Sequence, residues 1–255
     1  MLFRSLINMI ALLRCIRSDF YKLRHTSIPW IHLLIPLAGA FMFLAYYRLA
    51  SWDTVKKISG YLEALAIAFP LLIGIISGIV IEQEEQAGNF QTLLCNTKSK
   101  NTTYLSKLIV LLLLGSLSII LAVGIFALGF QTMPNIFYLK AAGALVIGNI
   151  FLYILHVFIS LQFGKGASTG LGVVESLLSA LMLTGLGDSV WHFFPCAWSV
   201  RFCDYLVVEW ANYSTSAFAA VDTKQGVFIM LFAVCIAFVA SLFWFKRWEG
   251  RKSYE

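Results

Sequence analysis

The chain has 255 residues, 60% of them apolar and 13% charged, with a net charge of +6 and a mean hydropathy of +0.82. A soluble domain averages about 25% charged residues, so this composition excludes a soluble globular enzyme, a disordered chain and a nucleic-acid module. In so apolar a chain the basic excess reads as membrane-topology charge. The five cysteines, at 15, 95, 196, 203 and 235, form no C-x-x-C and no metal-ligand spacing.

In residues 1–27, Leu6, Ile10, Leu13, Ile16, Phe20 and Leu23 recur at spacings of three and four, a helical apolar stripe. Arg14, Arg17, Lys22 and Arg24 surround it. The bases follow the apolar stretch and no small-residue cleavage site appears, so this is not a cleavable signal. An amphipathic helix on the inner leaflet fits, and a helix buried against the bundle is the alternative.

Bilayer hydrocarbon is about 30 Å thick and needs roughly 20 apolar residues per crossing. Six windows qualify: 28–50, 61–81, 108–130, 141–163, 169–186 and 227–245. Backbone groups in lipid must be satisfied within the segment, so these are helices, and the expected fold class is an all-α membrane protein with six transmembrane helices in a single domain, 1–255. Six crossings put both ends of the chain on one side. That side carries Arg4, Arg14, Arg17, Lys22, Arg24, Lys98, Lys100, Lys107, Lys165, Lys246, Arg247, Arg251 and Lys252. The other carries Arg48, Lys56, Lys57, Lys140, Arg201 and Lys224. Thirteen against six places both termini in the cytoplasm. Trp30, Trp52, Trp244 and Trp248 flank the first and last spans as interface anchors.

Two polar regions interrupt the spans. The cytoplasmic one, 82–107, opens with Glu82, Glu84 and Glu85, passes Gly88, and continues with Phe90, Leu93 and Leu94 at helical spacing. It reads either as a solvated acidic loop or as a docking surface for a soluble partner. The outer one, 187–226, holds Trp191, His192, Phe193, Phe194, Trp198 and Phe202. It is too apolar for a solvated loop and too broken for a span, so re-entrant or interfacial helices are expected. They either gate an outward route or seal the top of the bundle. Cys196 and Cys203 share this side and are assigned no disulfide. Within the membrane, His156 and Glu175 lie nine residues before and ten after Lys165, so an antiparallel hairpin brings them to one depth. Buried charges in lipid are normally paired. The pair reads first as a pin of the hairpin, with a substrate or proton path as the alternative.

The chain carries no Walker A, no H-E-x-x-H and no G-x-S-x-G. No cofactor, metal or catalytic residue is expected in it, and a pump built on it needs a separate ATPase. Asn101-Thr102-Thr103 and Asn212-Tyr213-Ser214 match the glycosylation sequon, a cheap match.

The run Lys22-Leu23-Arg24-His25-Thr26, then Ile35-Pro36-Leu37-Ala38-Gly39, Ala45-Tyr46-Tyr47, Phe69-Pro70-Leu71 and Gly88-Asn89-Phe90-Gln91-Thr92-Leu93-Leu94, with Lys107 opening the third span, resembles the ABC-2-type permeases of lantibiotic self-immunity transporters, in the MutG-like branch. The resemblance is firmest over 20–107. It implies a permease subunit, not an enzyme, working with two copies of a cytosolic ABC ATPase that uses ATP and Mg. A second related permease, or a second copy of this chain, completes the complex in the bacterial cytoplasmic membrane. The substrate implied is a lantibiotic peptide, taken from the membrane lipids to the outside to give self-immunity. The ATPase-coupling helix falls on Glu82, Glu84, Glu85, Gly88, Phe90, Leu93 and Leu94, the interfacial helix on residues 2–24, and paired re-entrant helices on 187–224. Where the family commonly has Gly-Thr, this chain has Gly88-Asn89. A cationic peptide would meet Asp188, Asp204 or Glu209 on the outer side, beside Trp191 and Trp198. Alternatives are a permease for bacitracin, another drug or a lipid-linked substrate, and a non-transporting immunity or sensor protein.

Overall fold

The computed structural model describes residues 2–95, 99–211 and 217–251, and among these it is helical throughout, with no strand. Helix α1 (Leu2–Arg24) stops where the Thr26 hydroxyl donates to the Leu23 carbonyl and accepts the Ile28 N–H, so one side chain closes α1 and opens α2 (Ile28–Leu49). Asp53 caps α3 (Thr54–Gln86) by accepting the Val55 N–H. At 1.5 Å per residue its 33 residues reach about 50 Å, well beyond the hydrocarbon layer. Its C-terminal end, with Glu82, Glu84 and Glu85, therefore projects past the apolar stretch.

Gly88, Asn89 and Phe90 all have positive φ (120°, 48° and 65°) and reverse the chain into the short α4 (Gln91–Cys95). The Thr103 hydroxyl, donating to the Leu93 carbonyl, ties α4 to α5 (Lys100–Gly129). The fourth expected window is two helices, α6 (Asn135–Gly148) and α7 (Ile150–Phe163), broken at the buried Asn149, whose amide donates to the Leu145 carbonyl. Gly164, with φ 92°, turns the chain directly into α8 (Lys165–Met182).

Three short 3-10 turns follow, 185–187, 191–193 and 195–197, then α9 (Trp198–Trp210) and α10 (Ala217–Arg247). Over the expected re-entrant pair, 187–224, the described residues thus form short 3-10 turns, the 13-residue α9 and the start of α10. Glycines at 185 and 187 and Pro195 break the segment too often for a second helix. The last helix also begins ten residues before the apolar window at 227, which brings Asp222 and Lys224 onto it. Helix α3 likewise starts at Thr54, seven residues before the apolar window at 61. Residues 96–98 of the polar 82–107 region and the sequon at 212–214 lie outside the described residues.

Among the described residues, five helical stretches are long and apolar enough to cross a membrane: Ile28–Leu49, Thr54–Gln86, Lys100–Gly129, Asn135–Phe163 and Val221–Arg247. Helix α8, over the expected fifth span, is not among them; it has 18 residues, contains Lys165 and Glu175, and is rich in glycine and serine. Those small residues set its packing. A Cβ on Gly74 would stand 2.6 Å from the Ser168 carbonyl, and one on Gly172 2.8 Å from the Pro70 carbonyl. The backbones of α3 and α8 touch along a small-residue seam of the kind that joins membrane helices. Around this pair, α2 and α1 pack on α5, α6 on α9, and α10 on α7. Tyr61 stacks on Phe126 at 3.9 Å and donates its hydroxyl to the Ala122 carbonyl, joining α3 to α5. Of the five stretches, those on α2 and α10 are the least buried, with Phe41, Met42, Phe228, Phe232 and Phe243 all exposed.

Candidate functional site

The end of α3 is a hub in which each glutamate has its own partner. Glu82 pairs with Lys165 at the start of α8 at 2.9 Å. Glu84 turns inward to Lys107 of α5 at 2.6 Å and to Lys22 of α1 at 2.9 Å. Glu85 accepts both Oε contacts of Arg251 Nη1, at 2.9 and 3.0 Å. Lys107 also meets Asp19 of α1 at 2.7 Å, and Asp19 accepts the Ser106 hydroxyl. Lys107, Asp19 and Glu84 are all buried, so this is an internal charge cluster and it fastens α1 to the projecting ends of α3 and α5.

The turn after the hub has two faces. Phe90 and Leu93, expected to form an outward apolar docking patch, are buried and belong to the chain's own core; Leu94 is half-buried. The reason is local: the positive φ at Asn89 and Phe90 folds the chain back, which swings the Phe90 ring against Trp248 at 5.1 Å. Glu84 is likewise turned to its internal cations rather than to solvent. What the turn exposes is Gln86, Ala87, Gly88, Asn89, Gln91 and Cys95.

Between α7 and α8, the fully buried His156 ring places Nε2 2.7 Å from Glu175 Oε2 and Nδ1 2.9 Å from Ser168 Oγ. The Ser168 hydroxyl reaches the Gly74 carbonyl at 2.9 Å, so this chain of polar contacts spans α7, α8 and α3. It lies on the small-residue seam and contains two ionisable groups among apolar neighbours.

On the opposite side, the expected substrate contacts separate. Trp191 and Trp198 are buried: Trp191 Nε1 donates to Asp222 Oδ2 at 2.9 Å and Trp198 Nε1 to the His192 carbonyl at 2.8 Å. Neither indole is presented outward, because each N–H has found an internal acceptor. Asp188 is exposed but paired with Arg201 at 2.9 Å. Arg201, buried, donates in addition to the Met182 and Thr184 carbonyls and so caps the end of α8. Asp204 is half-buried, and burial, with the Glu63 charge second, holds its carboxyl above the usual carboxylate range. Glu209 is exposed on α9. Asp222 is the centre of this side, held also by His192 Nε2 at 2.9 Å and by the Tyr205 hydroxyl at 2.5 Å. Cys196 and Cys203 are both buried as free thiols.

A family model described as ABC-2 family transporter protein matches residues 15–179, from the second half of α1 to near the end of α8. The chain belongs to the ABC-2 transporter family. No curated protein matches it. An ABC-2 permease is the membrane component of transport and is not itself catalytic, and the family usually works with a cytosolic ATPase. With its apolar helices, this ABC-2 chain is a multi-pass membrane protein.

Several groups that organise this ABC-2 chain escape a reading by motif. Asp19 carries a signal, since it is an acid lying between Ile16 and Leu23 on the apolar side of α1, where only a buried partner suits it. Arg201 and Asp222 carry none, because the groups they bind come from distant segments. Arg251 lies beyond the last apolar run and reads only as topology charge.

Proposed function

We propose that this chain is the permease subunit of an ABC exporter that crosses the bacterial cytoplasmic membrane six times, with α8 as the fifth crossing and both termini in the cytoplasm. The distribution of Lys and Arg supports that orientation. The ATPase docks on the exposed side of the 86–91 turn. The observation that carries this reading is a polar, outward-facing turn at the projecting end of the longest helix, on the basic side of the chain and braced by ion pairs to α1, α5 and α8. A push on that turn reaches the bundle through the hub. It shifts the equilibrium between outward and inward arrangements only as far as the ATPase binds the two differently.

The cargo we assign is a cationic amphipathic peptide of the lantibiotic class. It is taken laterally from the membrane and released outside, and a second permease, related or identical, completes the pathway. The likeness of residues 20–107 to lantibiotic-immunity permeases supports this, as do the exposed carboxylates Asp188 and Glu209 on the outer side. The polar contacts of His156 and Glu175 serve as a pin of the α7–α8 hairpin. The test is co-expression with a candidate ATPase and measurement of peptide released from cells, with Gln86→Arg and Gln91→Arg as docking variants. Both positions are exposed, so the variants should fold normally yet lose ATPase co-purification and peptide release. Undiminished co-purification refutes the docking face, and release of bacitracin but not lantibiotic refutes the cargo.

A further inference from the structure

We propose that the segment following α10, residues 248–251, is a clasp that fixes the shape of the coupling turn, with Arg251 as its positioning residue. The turn cannot be held by its own backbone preference. Positive φ is unfavourable for any side chain with a Cβ and most of all for a bulky one, yet Phe90 sits at 65° directly after Asn89 at 48°. Something outside the turn must hold it, and the structure shows what does.

The Trp248 indole meets the Phe90 ring in a T-shaped contact, and the Arg251 guanidinium lies 5.8 Å from the centre of the Phe90 ring. The clasp is itself anchored on four sides. Lys100 Nζ donates to the Trp248 carbonyl at 3.0 Å, and Arg251 Nη1 grips both oxygens of Glu85. Arg251 Nη2 donates to the Ser160 carbonyl at the end of α7 at 2.8 Å. The guanidinium lies over Gly164, where a Cβ would stand 3.0 Å from Nη1. Among the described residues, Lys165 is engaged by Glu82, and Lys107 and Lys22 by Glu84. One planar, forked side chain therefore joins the end of α3, the coupling turn and the α7–α8 turn, a geometry that a lysine does not reproduce.

The consequence is directional. Displacement of the 86–91 turn is passed through Arg251 to Ser160 and Gly164, hence to the hairpin carrying α8. This inference rests on the docking reading above, and its test separates the two. Hydrogen–deuterium exchange is measured on the full chain in lipid nanodiscs, for wild type, Arg251→Ala, Arg251→Lys and Trp248→Ala, alongside ATPase co-purification.

The clasp predicts that Arg251→Ala raises exchange about tenfold or more across residues 89–94, as loss of charged hydrogen bonds requires. The peptide covering residues 103–126 should be unchanged, and Arg251→Lys should restore only part of the protection. Unchanged exchange at 89–94, or a rise spread evenly over the whole chain, overturns the clasp. Raised local exchange with undiminished ATPase binding upholds the clasp and refutes the docking reading instead. If Arg251→Ala does not fold, the smaller lesion in Arg251→Lys decides by the same local criterion.

Discussion

Replacing Lys107 with Met keeps an unbranched apolar stem and deletes one charge. Lys107 Nζ stands 2.7 Å from Asp19 and 2.6 Å from Glu84, and the three side chains are only 5%, 8% and 3% exposed. After the change Glu84 retains Lys22, which is 37% exposed, but Asp19 keeps only the Ser106 hydroxyl. Removing one partner of a buried ion pair costs about 3–5 kcal/mol, because the remaining charge stays desolvated. The surviving Lys22 contact puts this case at the low end, about 3 kcal/mol, or roughly a hundredfold in the unfolding equilibrium. Reversible unfolding in mixed micelles measures it. Adding Asp19→Asn to Lys107→Met removes the orphaned charge and should recover about 1 kcal/mol or more. A loss below about 0.5 kcal/mol in the single variant, or a double variant less stable than the single, would refute the buried-charge reasoning.

Glu175→Gln keeps a neutral hydrogen-bonding group beside His156 and should lower stability by about 1 kcal/mol while sparing peptide release; release lost at unchanged stability would show that the pair is a path rather than a pin. Asp204 gives a pH prediction. Burial raises its folded-state value above the ordinary 3.8, so the folded chain holds this proton more tightly than the unfolded chain does. That contribution is complete below the unfolded value and is lost as pH rises through the folded one. Asp204→Asn should therefore be more stable relative to wild type at pH 7 than near pH 4, and two parallel stability–pH curves would contradict the assignment.

The long apolar helices were legible because their signal is additive over some twenty residues and lipid leaves the backbone no other choice. The meeting of His156 with Glu175 followed from counting residues on either side of a tight turn, and the structure puts the two in contact. Counting failed where the partner comes from far along the chain. Phe90 and Leu93 have the spacing of an exposed docking face, but which way that face points is decided by Trp248, more than 150 residues away. The positive φ values that turn them inward fall on an asparagine and a phenylalanine, and the phenylalanine gives no warning of it. Trp191 and Trp198, expected beside the outer carboxylates as peptide contacts, give their N–H groups internally to Asp222 and the His192 carbonyl. Helix α8 stops at Met182, whose carbonyl takes a hydrogen bond from the distant Arg201, although the apolar window runs on to Leu186.

The break at Asn149 divides one crossing between two mechanical units. Gly148 rests on the Ser199 backbone with no room for a methyl group, a Cβ there standing 2.8 Å from the Ser199 nitrogen, so α6 is geared to α9. Helix α7, one residue later, is bonded through His156 to α8 and through Arg251 to Glu85 at the end of α3. The stretch is thus an articulated joint and not a rigid rod, with α6 following α9 and α7 following α8 and the end of α3.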